Sequence, residues 1–259
     1  MSLSNRSAVA VPPQSTATSR VDVGLAQEYT RLIMQRKTEV WIIGVFLVVL
    51  VLAVVAAGFF SSKVSGTQTN FVATTVPPIT STDWTRGDAT AKVSLIEYGD
   101  FQCPACGAYE PLMQQLTSEY GDRVLFVFRN FPLYQIHQDA MIGAQAAEAA
   151  GLQGKYWQMH DLLYSKQAEW SVASADTVVS KYFDTYAASI GLSTAKFDAD
   201  INSAIVKEKV QHDLDTGNAA KIDHTPTFFI NLTQIPNPTS YADFKTVIDA
   251  ALASSTATQ

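Results

Sequence analysis

Two hydrophobic patterns divide this chain. From Val40 to Phe60 apolar residues follow one another without a charge, including Trp41, Ile42, Ile43, Phe46, Leu47, Val48, Val49, Leu50, Val51 and Leu52. A hydrocarbon core of about 30 Å needs about 20 helical residues at about 1.5 Å each, so the pattern predicts a membrane-spanning helix over 39–61. A buried core helix of that length usually carries some polar residues, and the apolar part of a cleavable leader is shorter and lies nearer the start. From Trp84 onward the apolar runs are short. Lys92 to Tyr98, Val124 to Phe128 and Thr227 to Ile230 are bounded by turn residues and predict buried strands. Between and after them the apolar positions take helical spacing over Cys103–Tyr120, His137–Ala150, Lys155–Leu163, Val178–Ile190, Thr194–Asp215 and Tyr241–Leu252, with Gly121 and Gly151 as stops. Strand, helix, strand, helical block, strand and helix is an α/β order, with helices packed on a central sheet.

The flanking charges orient the predicted span. Arg31, Arg36 and Lys37 precede it and only Lys63 follows closely, which retains the amino end in the cytoplasm and places the remainder outside. Residues 1–38 are read as a cytoplasmic tail, largely disordered, although Val21 to Glu39 has helical spacing of its own. Residues 62–82, rich in Ser, Thr and Pro, are read as a tether and 83–255 as one folded domain. With 259 residues, 47% of them hydrophobic, the chain is long enough for a full core as well as these segments. The net charge of −6 excludes a nucleic-acid surface, which draws on clustered Lys and Arg.

The only two cysteines stand together as Cys103-Pro104-Ala105-Cys106, where the first strand gives way to the first helix. No further sulfur exists for a framework of disulfides, so the pair is there to react. Pro104 suits the first helical position, where its missing N–H has no partner to lose. Cys103 then sits at the helix amino end, where unpaired N–H groups and the dipole favour a thiolate, the form that attacks disulfides. Cys106, three residues on, shares its face and can close back on it. Zinc is set aside: a structural site needs four ligands, and His137, His160, His212 and His224 form no adjacent pair. No metal and no cofactor is expected.

The run Val93-Ser-Leu-Ile-Glu97-Tyr-Gly-Asp100-Phe101-Gln-Cys103-Pro104-Ala-Cys106, then Phe126-Val-Phe-Arg129-Asn-Phe-Pro132-Leu, then Thr225-Pro226-Thr-Phe-Phe-Ile resembles the DsbA-like branch of the thioredoxin superfamily. Ala146-Ala-Glu-Ala-Ala-Gly151 and Gly154-Lys-Tyr-Trp157-Gln-Met-His160-Asp-Leu-Leu163 are similar to its membrane-anchored members. The resemblance covers nearly everything from Trp84 to Leu252. It implies a thioredoxin fold with a helical insertion at about 137–216, with Cys103 as attacking and Cys106 as resolving cysteine. Glu97 becomes the acidic residue beneath the disulfide that handles protons, and Pro226, preceded by Thr225, the cis-proline against it. Independently of any family, a carboxylate in an apolar strand costs several kcal/mol unless paired or protonated.

Three positions depart from the pattern. Ala105 stands where the strongest oxidants carry histidine, which predicts a less oxidising pair. His224 precedes Thr225 where relatives have a small residue; it either titrates near the disulfide or points to solvent, and the second is the reading taken. Asn231-Leu-Thr-Gln-Ile-Pro-Asn-Pro lacks the glycine hairpin common in relatives, predicting a shortened strand. Trp157, Trp170, Tyr182, Phe183 and Phe197 are read as packing residues, and Asp198, Asp200, Asp213 and Asp215 as a solvated helix face.

These readings converge on a membrane-tethered thiol–disulfide oxidoreductase that introduces disulfides outside the cytoplasmic membrane. Its expected partners are reduced or unfolded secreted proteins and a membrane redox partner that reoxidises the pair. With no dimerisation region between the tether and Trp84, it is expected to be a monomer. The alternatives are an extracytoplasmic reductase or isomerase, or a non-enzymatic binder of unfolded chains or soft metal.

Overall fold

The computed structural model describes residues 74–174 and 177–257. The expected cytoplasmic tail, membrane span and first part of the tether lie outside these residues. Among the described residues no helix is long and apolar enough to cross a membrane.

Five strands form one sheet: β1 (Trp84–Gly87), β2 (Val93–Gly99), β3 (Val124–Asn130), β4 (Thr227–Ile230) and β5 (Thr233–Gln234), in the order β1-β3-β2-β4-β5. β2 is central because all seven of its residues are buried, so both its edges and both its faces are covered. It runs parallel to β3 and antiparallel to β4, while β1 closes one side antiparallel to β3. The parallel pair needs a crossover, which α1 (Pro104–Tyr120) supplies. The final helix, α8 (Tyr241–Ala257), joins α1 on the same layer. Between them and the sheet lie Leu95, Met113, Leu116, Phe126, Phe228, Phe244 and Ile248. Side chains of the opposite parity, Ile96, Tyr98, Val127 and Phe229, form another core with Phe131 and Leu214.

The helical block between β3 and β4 comprises α2 (Ala140–Gly151), α3 (Tyr156–Ser165), the short α4 (Gln167–Trp170), a π-helical turn (Val179–Phe183) running into α5 (Asp184–Ser189), α6 (Thr194–Ile201) and α7 (Ala204–Ala219). Trp170, Phe183 and Phe197 are fully buried in its core, as read from the sequence, and this core also takes in Cys103 and Cys106. The helix expected over Thr194–Asp215 is two helices. Ser203 takes an extended conformation and its hydroxyl accepts from the Val206 N–H at 3.4 Å, starting a new helix where periodicity alone continued the old one.

One polar group corrects the sequence reading. Asp213, assigned to a solvated face, is buried: its carboxylate accepts from the Asn130 backbone and side chain at 3.1 Å and pairs with Lys209 at 2.5 Å. Arg129 at the end of β3 is likewise buried, held by Asp83, the carbonyls of Pro77 and Pro78, and the Tyr98 hydroxyl. These contacts dock the last residues of the expected tether onto the sheet. Val76 N–H donates to the Leu232 carbonyl at 3.0 Å and Gln234 N–H to Thr74 at 2.8 Å. The strand after Ile230 is short, as expected, β5 having two residues. A two-residue hairpin forms without glycine, with Asn231 and Leu232 at φ +48° and +72°. Asn231 suits that region, and it is pinned to β2 by accepting from the Ser94 N–H at 2.9 Å.

Candidate active site

The sequence places Cys103 at a helix start, and the structure puts it at the N-cap of α1 in extended conformation, with Pro104 as first helical residue. Both cysteines are free thiols, Cys103 7% exposed and Cys106 1%. Facing them is the loop before β4, where the Thr225–Pro226 peptide bond is cis. The Cys103 thiol donates to the Thr225 carbonyl at 3.5 Å, so the three separated motifs Cys103/Cys106, Thr225/Pro226 and Glu97 of β2 meet in one region.

The two sulfurs have opposite acidities. Cys103 is lowered from 9.0 to about 5, first by hydrogen bonding with the Cys106 thiol, then by the Thr225 side chain and by the N–H groups of Cys106 and Ala105, against the opposing effect of burial. Among the described residues the buried Thr225 hydroxyl has no other partner, which leaves it to donate to the ionised sulfur. Sequence reasoning credited the helix start; the partner thiol comes first, and the backbone donors of the first turn follow. Cys106 is raised well above 9.0, chiefly by burial, with Cys103 and Glu97 adding to it and the Asp100 N–H opposing at 3.5 Å. One sulfur is thus a thiolate near neutrality while its neighbour holds a proton.

Glu97 is buried beside Phe128 and Phe228 of the flanking strands, and its carboxyl is raised to about 8, by burial first and by Glu110 second, with Arg86 opposing. A small cavity with room for about one water opens between Glu97, Arg86, Trp157 and His160. Arg86 lies 3.9 Å from Glu110 and 3.4 Å from Asp161, over the Trp157 ring. Ligand atoms of Glu110, His160 and Asp161 lie within 4.8 Å of one another, a spacing that suits a metal ion. The Arg86 guanidinium already supplies the positive charge there, and a metal would have to displace it. The sequence reading gave these four residues no role. Glu110 was findable, being four residues beyond Cys106 on the same helix face; Arg86 lies in a strand too short to show a pattern.

The cysteine loop is fastened to the helical block. Gln167 Nε2 donates to the carbonyls of Phe101 and Cys103 at 2.8 and 2.9 Å. Gln102 donates to Ser171 O at 2.8 Å and accepts from the Asp139 N–H at 2.7 Å. Asp100 accepts through its carboxylate from the N–H groups of Gln102 and Leu133, at 2.8 and 2.9 Å, and meets His137 Nδ1 at 2.6 Å. Around this loop Tyr134, Ile136 and Val172 are exposed apolar side chains, Val172 by 82%. His224 faces solvent, as read from the sequence, and pairs with Asp223 at 2.7 Å.

Residues 80–250 match the thioredoxin family. The chain superposes on oxidised BdbD of Bacillus subtilis with a TM-score of 0.61 and 23% identity, covering 70% of this chain and 98% of that one. On α-DsbA1 of Wolbachia pipientis the TM-score is 0.62 with 21% identity, covering 70% and 96%. The fold is therefore the DsbA-like form of the thioredoxin fold. Among curated proteins, the Na(+)/H(+) antiporter NhaA 1 of Salinispora arenicola is 36% identical over 156 residues, which are 60% of this chain but 22% of the antiporter. The chain thus spans about a quarter of the length of the curated relatives it matches.

Proposed function

Because the chain belongs to the thioredoxin family over residues 80–250, we propose that it is a thiol–disulfide oxidoreductase that introduces disulfides into proteins outside the cytoplasmic membrane. The observation that carries this is the split acidity at Cys103 and Cys106. A sulfur that ionises at about 5 is a good leaving group and a poor holder of a mixed disulfide, which suits an oxidant. In the oxidised protein a client thiolate attacks the Cys103 sulfur, the bond to Cys106 breaks, and Cys106 leaves and takes a proton. A second client thiolate then attacks the client sulfur of the mixed disulfide and Cys103 departs as a thiolate. The client loses two electrons and the pair gains them. Glu97, whose carboxyl titrates at about 8, stands where it can exchange that proton, and Thr225 and Pro226 line the side from which the client approaches.

Clients are reduced, unfolded secreted chains, and the exposed Tyr134, Ile136 and Val172 beside the cysteine loop suit their apolar segments. A membrane redox partner returns the pair to the disulfide. The apolar run 40–60 and the positive charges before it support a single-pass anchor with the amino end in the cytoplasm. That curated relatives carrying a similar segment are Na(+)/H(+) antiporters supports a place at the membrane. The tethered protein acts as a monomer.

Replacing Cys106 with Ala in the full chain is the test. Mixed disulfides between Cys103 and envelope proteins accumulate if the reading is right, and their absence overturns it. A reduction potential near −270 mV, that of thioredoxin, would instead favour the reductase reading, to which Ala105 in place of a histidine lends support.

A further inference from the structure

Asp100 contributes to the cysteine loop three times over. Its backbone N–H points at the Cys106 sulfur (3.5 Å), its backbone carbonyl accepts from the Cys103 N–H (3.1 Å), and its carboxylate is saturated by the N–H groups of Gln102 and Leu133 together with His137 Nδ1 at 2.6 Å. The carboxylate is fully buried whereas the His137 ring is partly exposed. A buried carboxylate holding three donors fixes the residue that bears it, and with it the direction of its amide. His137 belongs to the segment linking β3 to α2, so the insertion reaches the cysteine loop through this ring as well as through Gln102 and Gln167.

We propose that His137 and Asp100 are positioning residues for Cys106: the ring holds the carboxylate, and the carboxylate aims the Asp100 N–H at the sulfur that must close on Cys103. Cys106 is set among groups that oppose its ionisation, namely Cys103 of its own segment, Glu97 of β2 and burial itself. The Asp100 amide is the neighbour that favours the thiolate. Its alignment therefore controls how fast a mixed disulfide at Cys103 is released by attack from within. The inference rests on the roles given above to Cys103 and Cys106.

The full chain, reduced and then mixed with oxidised glutathione, provides the test. The Cys103 thiolate attacks glutathione disulfide, forming the Cys103–glutathione bond and releasing one glutathione thiolate. Cys106 then attacks the Cys103 sulfur, the second glutathione leaves as a thiolate, and it takes up the proton that Cys106 gave up. The lifetime of the protein–glutathione adduct is read by mass spectrometry after acid quench. His137→Ala should lengthen it about tenfold, the loss of one charge-assisted hydrogen bond. His137→Asn, whose Nδ2 can donate from nearly the position of the histidine Nδ1, should restore most of the rate. Alkylation of Cys103 should proceed alike in all three proteins. An unchanged lifetime in His137→Ala overturns the inference, and so does a parallel loss of Cys103 reactivity or a failure of Asn to rescue. Asp100→Asn, which keeps size but turns a donor toward one of three donors, should lengthen the lifetime at least as much as His137→Ala, and a smaller effect also counts against the proposal. Cys106→Ser is run beside them. If its adduct decays as fast as that of the unaltered chain, the assignment of Cys106 itself has failed, and the two failures are told apart.

Discussion

At the scale of single residues, the reactivity of Cys103 comes from hydrogen bonds that can be removed one at a time. Thr225→Val keeps the shape of the loop and the carbonyl that faces the sulfur but removes the hydroxyl. The Cys103 pKa should rise from about 5 by roughly one unit, and the reduction potential should fall by about 30 mV, one factor of ten for a two-electron couple. Thiolate absorbance against pH and equilibration with glutathione measure the two changes; a shift in neither removes Thr225 from the site. Glu97 permits a second prediction with a definite sign. Its folded pKa of about 8 lies above the ordinary 4.5, so the neutral carboxyl contributes stability in full below about 4.5, and that contribution is lost as pH rises through 8. Glu97→Gln cannot ionise. Its stability relative to the unaltered protein should increase between pH 4.5 and 8 and level off above, with a span on the order of a few kcal/mol in denaturant titrations. Both cysteines were legible in the sequence as a complete motif and Glu97 as a carboxyl in an apolar strand, whereas Thr225 came only with the family resemblance. Asp100 and His137 were not legible, since their meeting depends on a loop 37 positions away that no local pattern reports.

At the scale of elements, the long buried strands were readable and the short exposed ones were not. Every residue of β2 is buried, so its apolar run stands out against its surroundings. β1 is only Trp84-Thr85-Arg86-Gly87, half-exposed at a sheet edge, and β5 has two residues; neither is long enough to show a period of two. Helix boundaries failed where a side chain competes with the backbone, as at Ser203. The docking of α7 against the sheet also depends on a detail that composition hides. At Gly217 an added Cβ would lie 2.4 Å from the Phe131 ring and 3.2 Å from Tyr98, both buried, so the helix reaches the sheet through a missing side chain. Gly217→Ala gains helix propensity but forces the two rings apart. Overpacking of this kind costs about 1–3 kcal/mol, more than the propensity returns, and a lowered denaturation midpoint with thiol reactivity retained is the expected result. An unchanged midpoint would mean that Phe131 has somewhere to go.

At the scale of the whole molecule, the sheet, the cis-proline loop and the helical insertion all converge on a thiolate, and this has a consequence for the balance between the two redox states. The structure is that of the dithiol, and its favoured arrangement is one in which Cys103 is ionised and held by Cys106, Thr225 and two backbone N–H groups. Forming the disulfide removes the charge that these donors serve and leaves them facing a neutral sulfur. The folded protein should therefore be more stable reduced than oxidised, the reverse of the usual effect of a disulfide, because the loop closed by four residues is too short to constrain the unfolded chain much. The dependence on pH follows from the sign of the shift. A folded pKa of about 5 below an ordinary 9.0 gives stability that is complete above 9, declines as pH falls and vanishes below 5. The melting temperature of the dithiol form should exceed that of the disulfide form by a few degrees at pH 7 to 8, and the gap should close by pH 4. An oxidised form that melts higher across that whole range would mean that the thiolate is not the state the fold is built around, and would count against the proposed oxidant in favour of a reductase.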